Sequence, residues 1–185
     1  MTKRVAVFIA DGSEEVEAIT PVDLLRRAKI DVDVVSIMGS KTITASRGII
    51  ITADKLIGEI NFDDYDMLVL PGGVKGTNNL NDCVILKENI RKFNGSGKGI
   101  AAICAAPTIF AGMGLLDGRR ATCNPGFRDK LKEAGAVLEA DSKVVICDNI
   151  ITSQAMGTSV DFGLAIVDYL AGEDEAESLK SNIRF

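Results

Sequence analysis

Hydrophobic residues fall into two spacings along this chain. Asp31–Met38 reads as a strand, and Lys3–Ile9 (KRVAVFI), Asp66–Leu70 (DMLVL) and Gly99–Ile103 (GIAAI) carry apolar residues at consecutive positions. Short runs of this kind predict strands buried on both faces. Between them the spacing changes to that of helices. Val16, Ile19, Val22, Leu24, Leu25 and Ala28 form a stripe, with Ser13 as the expected N-cap and Glu14 and Glu15 as solvent-facing residues of the first turn. Helices are also predicted at Asn81–Phe93, Pro107–Gly114, Arg128–Ala134 and Val160–Leu170, with a last one in the acidic tail after Gly172. Thr42–Thr44 and Ile49–Thr52 read as short strands or a hairpin around Ser46-Arg47-Gly48. Arg119–Cys123 reads as a strand, and Lys143–Cys147 and Ile150–Ser153 flank an Asp148-Asn149 turn.

Strands that alternate with helices predict an α/β fold with a mostly parallel central sheet covered on both faces. No repeat, linker or low-complexity segment divides the chain, so residues 1–185 are expected to form one domain. In such sheets ligands gather beyond the carboxyl ends of the strands. Four segments lie there: 11–17, 71–76, 104–107 and 153–158.

Composition narrows the chemistry. With 46% hydrophobic and 25% charged residues, the chain is neither disordered nor fibrous. Its net charge of -5 lacks the basic footprint of a nucleic-acid binder. It contains no histidine, which removes Ser-His-Asp and Cys-His activation, HExxH zinc sites and histidine general bases. Cys83, Cys104, Cys123 and Cys147 include no CxxC pair, so no metal site is expected. The N-terminal stretch MTKRVAVFIADG has no signal-peptide pattern, and a cytoplasmic protein with reduced thiols and no membrane association is the expectation. The uncharged run Gly99–Leu116 approaches the length of a membrane span, but its glycines and Pro107 favour a buried strand entering a buried helix.

Two glycine-rich segments fail as nucleotide loops. Asn94–Gly99 lacks the phosphate-loop spacing and precedes a strand, and Gly72-Gly73-Val-Lys-Gly76 reads as a strand-to-helix turn. Cys104 is the stronger candidate. It ends a predicted strand, and Pro107 suits the first turn of the helix that follows. A cysteine at such a corner faces free N–H groups, which favour the thiolate, and its alanine neighbours permit a tight elbow. A buried structural cysteine fits the same pattern. Glu17 is the second candidate: Pro21 cannot bond its carbonyl, so a kink or a fresh cap at Thr20 is expected beside a carboxylate near a strand end. An ordinary solvated glutamate fits as well.

Four motifs in order, GSEEVEAITPVD (12–23), VLPGG (69–73), AAICAAPT (101–108) and TSQAMGT (152–158), are together similar to the ThiJ/PfpI superfamily, in particular its deglycase branch. The resemblance covers nearly the whole chain. It implies a flavodoxin-like three-layer sandwich, a homodimer and cofactor-free action on small reactive carbonyls, as a glyoxalase or deglycase. It implies Cys104 as the reactive cysteine and Glu17 as the glutamate that contacts it. Gly72, Gly73, Ala105 and Asn124 match oxyanion and substrate-binding positions, and Arg27 and Arg47 match basic residues of an anion pocket. Two departures stand out. Asn124 precedes Pro125 where much of the family has histidine, so Glu17 must serve as acid and base in turn. Gln154 replaces an arginine of the deglycase branch. A cysteine-oxidation sensor and a stress-response chaperone remain alternative roles.

Overall fold

The computed structural model describes residues 2–185. Its centre is a seven-stranded sheet. In chain order the elements are β1 (Arg4–Ile9), α1 (Glu15–Arg27), β2 (Asp31–Ser36), the hairpin β3 (Thr42–Thr44) and β4 (Ile50–Thr52), β5 (Lys55–Leu56), β6 (Met67–Leu70), α2 (Val74–Asp82) and α3 (Val84–Ser96). There follow β7 (Gly99–Ile103), α4 (Pro107–Gly112), β8 (Arg120–Ala121), α5 (Arg128–Glu133), β9 (Val137–Leu138), β10 (Val144–Cys147), β11 (Ile150–Ser153), α6 (Ser159–Ala171) and α7 (Glu173–Ile183).

The sheet runs β10-β11-β7-β6-β1-β2-β5, and every pairing in it is parallel except β10–β11. The register Val5↔Met67 and Met67↔Gly99 puts the carboxyl ends of β1, β6 and β7 at one edge. Side-chain alternation divides the core. Val5, Val7, Ile9, Val69 and Ile103 face α1 and α6, whereas Ala6, Phe8, Leu68, Leu70 and Ala102 face α3 and α4. Both faces of β1 are therefore apolar, as its unbroken hydrophobic run required. The expected α/β sandwich with a mostly parallel sheet is observed.

Several local expectations are corrected. Ser13 does not cap α1; its Oγ accepts the Ala10 N–H at 3.0 Å, and Glu14 caps instead, accepting the Glu17 N–H at 2.7 Å. The Asp11–Ser13 turn uses the serine to close itself, which moves the helix start one residue on. Pro21 lies inside α1 without restarting it. Glu15 is buried and clamps the hairpin, accepting from Ser46 Oγ and the Arg47 N–H at 2.7 Å each. Val16 and Ile19 are about two-fifths exposed, so the packed face of α1 is Ala18, Val22 and Leu25. Helix α2 was not anticipated, and the predicted strand at 119–123 shrinks to β8, which pairs with β9 outside the main sheet. The Gly99–Leu116 run is β7 followed by α4, and among the described residues no helix is long and apolar enough to cross a membrane.

Candidate active site

Strand β7 delivers Cys104 to the carboxyl edge of the sheet, where the chain turns sharply into α4. Cys104 has φ +66°, the left-handed region that costs a residue with a Cβ about 1 kcal/mol or more. Both of its backbone groups are tied down: its N–H donates to the Ser153 carbonyl at 3.0 Å, and its carbonyl accepts the Asn124 N–H at 2.9 Å. A strained corner held from both sides fixes the direction of the thiol, as the elbow pattern predicted.

Glu17 meets this thiol from α1. Its side chain is 1% exposed, so it is not a solvated first-turn glutamate. Its Oε2 and Cys104 Cβ converge on Gly72, each 2.6 Å from where a Cβ on that glycine would stand, and the Oε2 accepts the Gly72 N–H at 2.9 Å. Burial raises the Glu17 carboxyl to about 7, reinforced by the nearby charge of Glu14 and opposed by the hydrogen bonds from Cys104, Gly72 and Met156. Burial also pushes the Cys104 thiol up to about 12, and the Glu17 charge adds to this. The Gly73 and Ala105 N–H groups favour the thiolate without prevailing. The expectation of a thiolate favoured by helix-end donors is thus corrected: desolvation and an adjacent carboxylate outweigh those donors. The two acids titrate as one unit. One proton leaves near pH 7, and the second is retained because its loss would leave two buried anions in contact.

Above the pair lies a cavity of about 920 Å³, lined by Cys104, Glu17, Gly73, Asn124 and Arg47. Gly72 is not an oxyanion donor. Its N–H is committed to Glu17, and a Cβ there would stand 2.6 Å from both Cys104 Cβ and Glu17 Oε2. Gly73 and Ala105 are the positions whose N–H groups face the sulfur. Asn124 Oδ1 accepts the Gly126 N–H at 3.0 Å and closes the turn Pro125–Phe127. Arg27 is not at this site: the phase of α1 pairs it with Asp23 at 2.7 Å and places it in a separate depression with Ile19, Leu24 and Phe185. Gln154 donates to the Ala140 and Ser142 carbonyls at 2.9 and 2.8 Å, a structural role.

Asp11, Glu14, Lys75 and Met156 also line the cavity, within the segments 11–17, 71–76 and 153–158 expected beyond the strand ends, and Ser46 and Phe127 join them from outside those segments. Ser46 and Phe127 come from turns, which leave no periodic signal. No cluster of His, Cys, Asp or Glu suited to a metal occurs among the described residues.

The arrangement is a nucleophile beside a carboxyl raised into the neutral range, with two N–H donors at the same sulfur. It can add a thiol to an electrophilic carbon and stabilise the oxygen anion that forms.

Comparison with known proteins gives a consistent result. The sequence profile described as "DJ-1/PfpI family" matches residues 3–169. "Protein DJ-1 homolog B" of Arabidopsis thaliana is 38% identical over 95% of this chain, which spans only 40% of that relative's length. "Glutathione-independent glyoxalase DJR-1.2" of Caenorhabditis elegans is 33% identical over 91% of this chain and 89% of its own. Among solved structures, "Toxoplasma gondii DJ-1, oxidized" superposes with a TM-score of 0.94 at 31% identity, covering 100% of this chain and 99% of that one.

Proposed function

The chain belongs to the DJ-1/PfpI family, and we propose that it is a cofactor-independent enzyme that isomerises 2-oxoaldehydes such as methylglyoxal to 2-hydroxyacids through Cys104, with deglycation of aldehyde adducts as the related activity. The observation that carries this reading is the close approach of Cys104 and Glu17 over Gly72, both lining one cavity, with the Gly73 and Ala105 N–H groups favouring the thiolate. The glyoxalase name of the Caenorhabditis elegans relative supports it.

In this mechanism Glu17 takes the thiol proton as the sulfur attacks the aldehyde carbon, so charge moves without a second buried anion appearing. A C–S bond forms and the aldehyde oxygen becomes an anion. The N–H donors stabilise it, each worth roughly 3 kcal/mol of barrier, and it then takes the proton from Glu17. Glu17 next accepts the hydrogen of the attacked carbon as a proton and returns it to the neighbouring carbonyl carbon, while the proton on the hemithioacetal oxygen moves to the neighbouring carbonyl oxygen. The first carbon is oxidised to a thioester and the second reduced to an alcohol. Water cleaves the C–S bond, releasing the 2-hydroxyacid and restoring the thiol. No external oxidant or reductant enters. With methylglyoxal the product is lactate, and lactate formation by wild type beside Cys104→Ala is the test. Equal formation by the two proteins removes the proposal.

A second reading uses the same groups. A sulfinate on Cys104 would be held by the Gly73 and Ala105 donors and by a protonated Glu17, which suits a cysteine-oxidation sensor. The name of the oxidised Toxoplasma gondii relative supports this alternative. Peroxide-dependent change in stability without aldehyde turnover favours the sensor.

A further inference from the structure

Two exposed cationic residues that the chemistry at the sulfur does not use line the cavity. Arg47 comes from the tip of the β3–β4 hairpin and Lys75 from the first turn of α2. Among the described residues, neither forms an ion pair. The cavity's carboxylates are already engaged by backbone donors. Asp11 Oδ1 accepts the Thr44 N–H at 2.9 Å, Glu14 Oε2 the Glu17 N–H at 2.7 Å and Glu17 Oε2 the Gly72 N–H at 2.9 Å.

Lys75 is seated rather than loosely placed. Its stem lies over Gly12, so a Cβ on Gly12 would stand 2.6, 2.9 and 3.0 Å from Lys75 Cβ, Cγ and Cδ. Gly12 also has φ +82°, a conformation that glycine adopts without penalty. Gly12 therefore makes room for the aliphatic stem of a lysine that lines the cavity. The cavity, at about 920 Å³, also far exceeds what methylglyoxal fills.

We propose that Arg47 and Lys75 form an anion-selecting pair, and that the preferred substrates are 2-oxoaldehydes bearing a carboxylate a few carbons from the reacting aldehyde. This rests on the enzymatic reading above and adds the substrate class to it. The carboxylate would lie against Lys75 and Arg47 while the aldehyde carbon meets Cys104. Charge-assisted hydrogen bonds to such a group are about twice as strong as neutral ones. Asp11 and Glu14 stand in the same wall and would repel a dianionic phosphate more than a singly charged carboxylate. Turnover follows the same balance as for methylglyoxal: the aldehyde carbon is oxidised, the adjacent ketone carbon is reduced, and one water is added. A substrate with a distal carboxylate thus leaves as a 2-hydroxy dicarboxylic acid.

Two measurements test this. Iodoacetate and iodoacetamide differ chiefly by one negative charge, and their alkylation rates at Cys104 can be compared by peptide mapping, with the unpaired Cys83 and Cys147 as internal references. In Lys75→Met the iodoacetate-to-iodoacetamide rate ratio should fall about tenfold at Cys104 and stay constant at Cys83 and Cys147. Arg47→Gln is an independent second variant with the same expected direction. Separately, kcat/KM for 4,5-dioxopentanoate relative to methylglyoxal should fall about as much in both variants. Unchanged ratios in both variants, by both readouts, overturn the proposal. A reduced alkylation ratio with no turnover of either aldehyde by wild type leaves the anion site standing and removes the enzymatic reading instead.

Discussion

Gly72 donates its N–H to Glu17 Oε2 at 2.9 Å, and its lack of a side chain is what lets that carboxylate reach Cys104. A Cβ at this position would stand 2.6 Å from both Cys104 Cβ and Glu17 Oε2 and 3.0 Å from the Ile103 carbonyl oxygen. Gly72→Ala should therefore separate acid from thiol while leaving both in the chain. Misplacing reacting groups by about 1 Å costs roughly 100-fold in rate, and overpacking costs about 1–3 kcal/mol in stability. Lactate assays beside thermal unfolding check both. Near-wild-type turnover by Gly72→Ala would mean that the close Cys104–Glu17 approach is not needed.

Glu17→Gln should abolish turnover almost as fully as Cys104→Ser. Glutamine keeps the size and a donor for a sulfinate oxygen but cannot exchange a proton. Wild-type kcat/KM should rise with pH through about 7, where the free enzyme acquires its base. Cys104 alkylation should show an inflection in the same range, because the pair titrates together. Both features should vanish in Glu17→Gln. Retained lactate production in this variant would show that another group moves the proton.

The same carboxyl makes stability depend on pH. Glu17 binds its proton more tightly in the folded chain, near 7, than at its ordinary value of 4.5. Its contribution is fully present below about pH 4.5 and is lost as pH rises through 7, a swing of up to roughly 3 kcal/mol. Denaturant unfolding of wild type and Glu17→Gln at pH 5 and pH 8 isolates it. Wild type should lose stability relative to the variant over that interval, and a constant difference would show that Glu17 is not raised.

Asn124 offers a gain of function. Asn124→His should supply a second base at the cavity wall, and a well-placed general base is worth ~100-fold or more. Loss of the Asn124 Oδ1 bond to the Gly126 N–H should cost about 1 kcal/mol, since it caps a turn. Lactate kinetics and thermal unfolding measure the two effects. An unchanged rate in a folded variant would show that Glu17 already meets every proton-transfer demand.

Self-association is expected through α1. Val16 is 41% exposed and Ile19 40% exposed on a helix whose opposite side is buried. Light scattering at micromolar concentration should give twice the chain mass, and Val16→Glu with Ile19→Glu should shift it to the mass of one chain. A wild-type monomer would count against the homodimer.

The parts of this fold that were legible in sequence are those whose burial is set by local pattern. The runs at β1, β6 and β7 are apolar at consecutive positions because both sheet faces are covered, and they were read as such. Cys104 was legible because strand, alanines and proline meet there. Helix α2 was not, since VKGTNNLND buries only Gly76, Thr77 and Leu80 and shows no stripe. Nor was the burial of Glu17, which depends on a glycine 55 residues away in sequence. The raised thiol pKa was not legible either, because burial and a carboxylate arriving from another helix oppose the helix-end donors. Arg27 lies away from Cys104 within the chain because its place on α1 delivers it to Asp23, four residues back on the same helix face.

The Asp11–Glu15 turn gives the cavity a single hinge pin. The Gly12 N–H donates to Thr44, the Thr44 N–H to Asp11, the Ser46 N–H to Ser13 and the Arg47 N–H to Glu15, while the Glu14 N–H donates to Gly72. Hairpin, helix and the strand-end glycines are thus fastened to five consecutive residues. Opening any one of them requires breaking bonds that the others share, so these amides should exchange with solvent as one cooperative unit. A chain built this way has little means of widening its mouth for a bulky substrate without loosening the carboxylate as well, so substrate size and proton transfer are mechanically linked.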